Sequence, residues 1–167
     1  PDVFPVRDFP LSRSAERALY VENEISLAGG QLQLIPGLRW DRYALSPRPD
    51  PIFAADNPGI ASVAIDAEEI SPRLGLAWRW SAAWSLHANY AEGFRAPPYN
   101  DANIGFTNLQ FGYTALPNAD LKSESSRGLE LGLRWRGAAG HAAITGYRNR
   151  YRDFIEQVTV GGTGSAA

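Results

Sequence analysis

The chain of 167 residues has no cysteine, no methionine and only two histidines. No apolar run approaches the roughly 18 residues that a membrane-spanning helix needs, so any membrane role has to use strands. Without cysteine there is no disulfide, thiolate nucleophile or zinc-thiolate site, although the compartment stays open. Sixteen basic residues against eighteen acidic ones leave a net charge of −2, which is no electrostatic footprint for nucleic acid. The first residues, PDVFPVRDFP, have neither a basic leader nor an apolar core, so no secretory signal is visible. Either the protein is cytoplasmic or this is an interior piece of a longer chain, and a start without Met favours the piece. HExxH, a phosphate loop and a nucleophile elbow are also missing, so no enzyme and no catalytic residues are expected. Glu22 and Glu24 share a strand face as a catalytic carboxylate pair would, yet charge pairing across strands explains them more simply. Glu68 and Glu69 are adjacent, so on a strand they point apart.

What the chain does have is aromatic residues, with five Trp, seven Tyr and seven Phe, and a persistent two-residue alternation. Between Arg17 and Leu27 the apolar set is Leu19, Val21, Ile25 and Leu27. If Gly29-Gly30 is a two-residue turn, Leu27 meets Leu32, Ile25 meets Leu34, Val21 meets Leu38 and Leu19 meets Trp40. Every apolar residue then faces an apolar partner, which a one-residue slip would destroy. A loop at Ser81 to Ala83 likewise brings Pro72, Leu74, Leu76, Trp78 and Trp80 against Trp84, Leu86, Ala88 and Tyr90. A third ribbon sets Leu129, Leu131, Leu133 and Trp135 apart from Gly128, Glu130, Gly132 and Arg134, and its return strand, His141 to Phe154, alternates less clearly. The expected fold is all-β, an antiparallel meander of about six strands of roughly ten residues or more, where globular strands usually stop at about five or six. Long connectors, about 45–66 and 96–122, lie at the end opposite the tight turns, and no capped helix is expected. The end, VGGTGSAA, is low-complexity and expected to be mobile.

Two arrangements compete for the apolar face. In a soluble sandwich a second sheet covers it; in a transmembrane barrel lipid does. All five Trp (40, 78, 80, 84 and 135) share the apolar parity. Trp80, Trp84 and Trp135 gather near one edge of the band, with Trp40, Tyr43, Tyr90 and Phe94 near the other, as in the aromatic girdles at the two membrane interfaces. The opposite face carries Glu22, Glu24, Arg39, Asp41, Arg73, Arg79, Glu130 and Arg134, which suits a hydrated lumen. We therefore expect part of a transmembrane β-barrel in contact with the lipid bilayer. The short turns would be periplasmic and the long loops extracellular, and all of residues 1–167 would belong to one barrel domain. About six strands cannot close a cylinder, and an open edge in lipid is not tolerated, so the expected barrel is larger than this chain.

Three stretches, YAEGFRAPPYNDANIGFTN from Tyr90, YTALPNADLKSESSRGLELGLR from Tyr113 and YRNRYRDFIE from Tyr147, resemble the TonB-dependent outer-membrane receptors. More narrowly, they resemble the haem/haemoglobin (haemoglobin/transferrin/lactoferrin-type) branch. ENEISLAGGQLQLIPGLRWDRY from Glu22 extends the likeness more weakly. The resemblance implies a barrel of about 22 strands closed by a plug. It also implies a TonB energy-coupling complex as driving partner and haem, an extracellular haem protein or another ferric chelate as transported ligand, in the outer membrane of a Gram-negative bacterium. A ferric-siderophore receptor of the same fold, a soluble all-β binding module gripping a partner with its aromatic loop, and an esterase-like barrel are the alternatives. Plug and coupling box do not occur in these 167 residues. Ala119 and Ser123 stand where the family usually shows prolines. Some haem-receiving members carry a histidine between the two motifs, whereas Pro97 to Pro117 has none.

Haem iron takes His, Tyr, Met or Cys as axial ligand. His87 falls on the lumen parity and His141 beside a tight turn, where ordinary lumen and turn roles account for both. Tyr99 and Tyr113, in the long loop with Asn100 and Phe106, are the ligand-binding candidates; they could stack on a porphyrin or ligate iron, or order the loop and meet a partner protein. Arg95 could grip a propionate or phosphate, or pair with a loop carboxylate such as Asp101. Phe94 and Pro97 belong to the first motif. Asn118, Asp120 and Leu121 match the second, where they shape re-entry into the next strand. No resident cofactor or metal site is expected.

Overall fold

The computed structural model describes residues 5–108 and 110–162. The last five positions of the low-complexity end, 163–167, lie outside the described residues. In chain order come strands β1 (Leu11–Glu22), β2 (Ile25–Leu27) and β3 (Leu32–Arg48), helix α1 (Pro51–Asp56), strands β4 (Ile65–Trp78) and β5 (Trp84–Arg95), helix α2 (Tyr99–Asn103), the short strands β6 (Phe106–Asn108) and β7 (Tyr113–Ala115), and strands β8 (Glu124–Gly137) and β9 (Gly140–Arg152). The main sheet is an antiparallel meander, β1-β3-β4-β5-β8-β9, with β2 continuing β1 along β3.

The hairpin registers follow the alternation. Leu27 pairs with Leu32, Ile25 with Leu34, Val21 with Leu38 and Leu19 with Trp40. Leu74 pairs with Tyr90, Leu76 with Ala88 and Trp78 with Leu86. The first turn differs from the expected two-residue one: Ala28, Gly29 and Gly30 form a short 3-10 turn, all with positive φ, closed by the Gln31 N–H on the Ala28 carbonyl at 3.3 Å. The register is the same because Leu27 and Leu32 flank either loop. The gap between β1 and β2 falls opposite Pro36, which has no N–H to donate; Asn23 still gives its own N–H to the Pro36 carbonyl at 3.1 Å. In the second turn Ser81 Oγ accepts the backbone N–H groups of Ala83 and Trp84, holding the expected loop.

The pairing sorts side chains into two faces. One carries Leu19, Leu38, Leu74, Leu86, Leu131 and Ile144, with Trp78, Trp80, Trp84 and Trp135 at the tight-turn end. The Trp80 and Trp84 rings stack at 6.2 Å and Trp78 tilts against Trp80 at 5.4 Å. Nothing among the described residues covers this face: Leu19 is 70% exposed, Leu131 54% and Ile144 71%. On β3 its apolar run from Leu32 to Trp40 measures about 26 Å at about 3.3 Å per residue, close to the height of a membrane-barrel band.

Tyr43 does not belong to that band. It pairs with Glu16 and Ala67 on the other face, because it is an odd number of residues from Trp40 and the side chain alternates at every step. The inward face pairs opposite charges across strands, Glu22 with Arg73, and along one strand, Arg39 gripping Asp41 through two nitrogens at 2.7–3.0 Å, and it sets His87 Nε2 3.5 Å from the Glu130 carboxylate. Gly132 lies beneath the His87 ring and against Thr145, so a Cβ there would collide with both. We expect Gly132→Val to destabilise the sheet by about 1–3 kcal/mol in urea titrations, with Gly146→Val, where a Cβ meets open space, costing far less.

Candidate functional site at the long-loop end

The two connectors, 49–64 and 96–123, fold together over one end of the sheet, and the few fully buried side chains are there. Asp50 caps α1 by accepting the Phe53 N–H at 2.9 Å, and Pro51 occupies the first turn, where its missing N–H costs nothing. This capped helix was not expected, although Asp-Pro is a start signal. α1 buries Phe53, 1% exposed, and Asn57 after it donates to the carbonyls of Phe53 at 3.1 Å and Arg7 at 2.8 Å. Arg7 in turn gives its backbone N–H to Asp56, and its guanidinium forms an ion pair with Asp50 at 3.0 Å, so the segment before β1 is tied to the same package.

Asn103, wholly buried, joins the two connectors. Its Oδ1 accepts the Val63 N–H at 2.6 Å and its Nδ2 donates to the Val63 carbonyl at 3.0 Å, so one amide side chain satisfies a backbone unit as a neighbouring strand would. Gly105 donates to the Asp8 carbonyl at 2.8 Å, and a Cβ there would strike the Asn57 side chain. Leu45 and Ala102 are buried as well.

Around this package the sequence candidates fall into separate groups. Tyr99, half exposed at the start of α2, meets Phe9 edge to face at 5.6 Å, and Asn100 beside it is exposed. Phe106 and Tyr113 meet at 5.8 Å across β6 and β7, a small hairpin whose tip exposes Phe111. Arg95 pairs with Glu124 at 3.1 Å, the residue directly opposite it, rather than with Asp101. Asn118 gives its N–H to the Asp101 carbonyl and its Oδ1 accepts the Asp120 N–H, a local turn leading into β8. Phe94, Pro97 and Leu121 line one cleft of about 410 Å³ with Lys122 and the start of β4. This cleft opens where β4 and β5 part company, since their pairing ends at Arg73 and Ala91. His87 and His141 stay on the inward face away from these loops, opposite Gly132 and Arg136.

Sequence reasoning missed Phe53, Asn57, Asn103 and the docking of Arg7 to Phe9. Tyr43 also joins the site: beyond the aromatic band, burial raises its hydroxyl above the ordinary value, and Glu16 and Tyr99 add to that. Among the described residues no group of His, Cys, Asp and Glu is placed to hold a metal ion. What the arrangement offers is two separate pairs of aromatic rings on a braced scaffold, suited to stacking a flat ligand or gripping a protein surface.

An antiparallel wall with an uncovered apolar face, aromatic rings flanking it, and elaborate loops at one end only is the architecture of a transmembrane β-barrel segment. The chain matches, over residues 1–167, the family described as TonB dependent receptor-like, beta-barrel, and it belongs to that family. It is 33% identical over 155 residues to the hemoglobin-haptoglobin utilization protein B of Neisseria meningitidis serogroup A, covering 90% of this chain and 19% of that one. It is 31% identical over 106 residues to the hemoglobin and hemoglobin-haptoglobin-binding protein B of Haemophilus influenzae, covering 64% of this chain and 10% of the relative. The chain thus spans under a fifth of these relatives. The Serratia marcescens hemophore receptor HasR, solved with its hemophore HasA and heme, superposes with a TM-score of 0.67 at 22% identity, over 86% of this chain and 26% of HasR.

Proposed function

We propose that this chain is barrel wall and extracellular loop from a receptor that imports haem, or haem taken from a haem-carrying protein, across the outer membrane of a Gram-negative bacterium. The expected TonB energy-coupling complex drives it through parts of the receptor beyond these residues. The observation that carries the membrane part is the uncovered apolar face with tryptophans at its tight-turn edge. The haem part is supported by the haemoglobin-binding relatives and by two separate ring pairs in the loops, Phe9 with Tyr99 and Phe106 with Tyr113. Arg95 stands on the inward face at the long-loop end of β5 and would meet a propionate once Glu124 releases it.

Haem titration of the complete receptor should shift the Soret band. Replacing Tyr99 and Tyr113 together by alanine should weaken binding about tenfold or more, equivalent to about 1.4 kcal/mol. Tyr→Phe at both sites separates the roles: stacking survives it and iron ligation does not. A wild-type receptor that leaves the Soret band unmoved would overturn the haem reading and leave a ferric chelate as cargo.

A further inference from the structure

We propose that outward arginines just beyond the aromatic band bind the phosphates of a phosphorylated glycolipid in the outer leaflet of the membrane, a proposal that rests on the membrane reading above. The register puts six arginines on the outward face at this height. Arg17 lies directly opposite Arg42, Arg127 directly opposite Arg150, Arg148 opposite Leu129 and Arg152 opposite Ser125. The outward carboxylates there are Asp66, Glu68 and Glu92. Two of the arginines have salt-bridge partners among them, Arg42 with Asp66 at 2.9 Å and Arg127 with Glu92 at 3.1 Å, so a cationic excess stays on this face.

Like charges directly opposite one another destabilise a sheet unless a counter-charge lies between them. This face has two such pairs, Arg17 with Arg42 and Arg127 with Arg150. β9 then repeats arginine at three successive outward positions, all exposed and about 6.6 Å apart along the strand. Strand ends are not basic in general: inward positions on the same rows include Glu16, Glu69 and Glu124. Arg42 is one outward step past Trp40, and Arg148 follows Ile144 and Gly146 on β9, which is headgroup depth if the band is in hydrocarbon. Guanidinium forks match phosphate oxygens in pairs, and near a membrane surface each added cation strengthens attraction to anionic lipid. Charge complementarity thus favours a phosphate-bearing lipid over a protein partner, and a hollow of about 160 Å³ on this face is lined by Ala15, Arg17, Arg42 and Ala44.

The test uses the complete receptor, exchanged into phosphatidylcholine with or without a diphosphorylated glycolipid, and counts retained glycolipid by native mass spectrometry. Wild type should retain it, and Arg148→Gln/Arg150→Gln/Arg152→Gln should retain about tenfold less. Arg134→Gln, on the inward face, should behave as wild type, and excess inorganic phosphate should not displace the lipid. Equal retention by the triple variant, equal retention of the phosphatase-treated glycolipid, or full displacement by inorganic phosphate would each overturn the proposal alone. Failure of the wild type to insert into the bilayer at all would overturn the membrane reading and the proposal with it.

Discussion

Leu131→Arg should destabilise the complete, membrane-inserted receptor by about 2–4 kcal/mol, while Arg134→Ala on the same strand should cost well under about 1 kcal/mol. Leu131 lies in the middle of β8, opposite Ala88 and Gly146, on the face that nothing among the described residues covers. An arginine there has to hold its charge in hydrocarbon, and the depth sets the cost, since snorkelling from mid-span reaches neither interface. Arg134 lies on the inward face, opposite Ser85 and Ala143, where water solvates it. Urea unfolding followed by the loss of heat-resistant electrophoretic mobility measures both. In a soluble sandwich the order of costs depends on the covering sheet, and equal costs at the two positions would count against lipid contact.

Asn103→Leu should cost the loop package about 1–3 kcal/mol for each backbone group it orphans, and it orphans the N–H and the carbonyl of Val63 together. Leucine fills nearly the same volume but can neither accept nor donate, and Asn103 itself is wholly buried. The barrel wall should keep its stability, because the strands pair independently of this amide. Hydrogen exchange at Val63 and its neighbours should accelerate, and affinity for the ligand should fall with it, since Tyr99 starts the helix that Asn103 ends. Asn103→Asp keeps the acceptor for the Val63 N–H but sets an oxygen against the Val63 carbonyl, so it should also lose protection. Unchanged exchange at Val63 in the leucine variant would show that the amide does not hold the connectors together.

The wall was legible in the sequence because strand pairing is a local, periodic problem. Once Leu27 and Leu32 flank a turn, every later pair follows by counting, and the alternation reports the face at each step. Tyr43 shows how that reading fails: closeness to Trp40 suggested a girdle residue, but parity, not proximity, decides the face. β9 was hard to read for a related reason. Its outward positions run from Ala142 and Ile144 into Arg148, Arg150 and Arg152, so hydrophobicity stops marking the face where the strand leaves the apolar band. The loop package was the least legible. The contact of Asn103 with Val63 joins positions 40 residues apart, and that of Asn57 with Arg7 spans 50, with no periodicity to announce either. Of the candidate residues, Phe94, Pro97 and Leu121 are brought to one cleft, whereas Tyr99 and Tyr113 stand in different aromatic pairs.

A receptor wall of this kind requires lipid to lie against the apolar face. In the complete receptor reconstituted in bilayers, spin labels on Leu131→Cys and Glu130→Cys sample opposite faces of one strand at one depth. Collision with molecular oxygen, which concentrates in lipid, should dominate at position 131, and collision with a water-soluble nickel chelate should dominate at position 130. A nickel chelate that reaches position 131 as readily as position 130, or a label at 131 shielded from both, would contradict lipid contact.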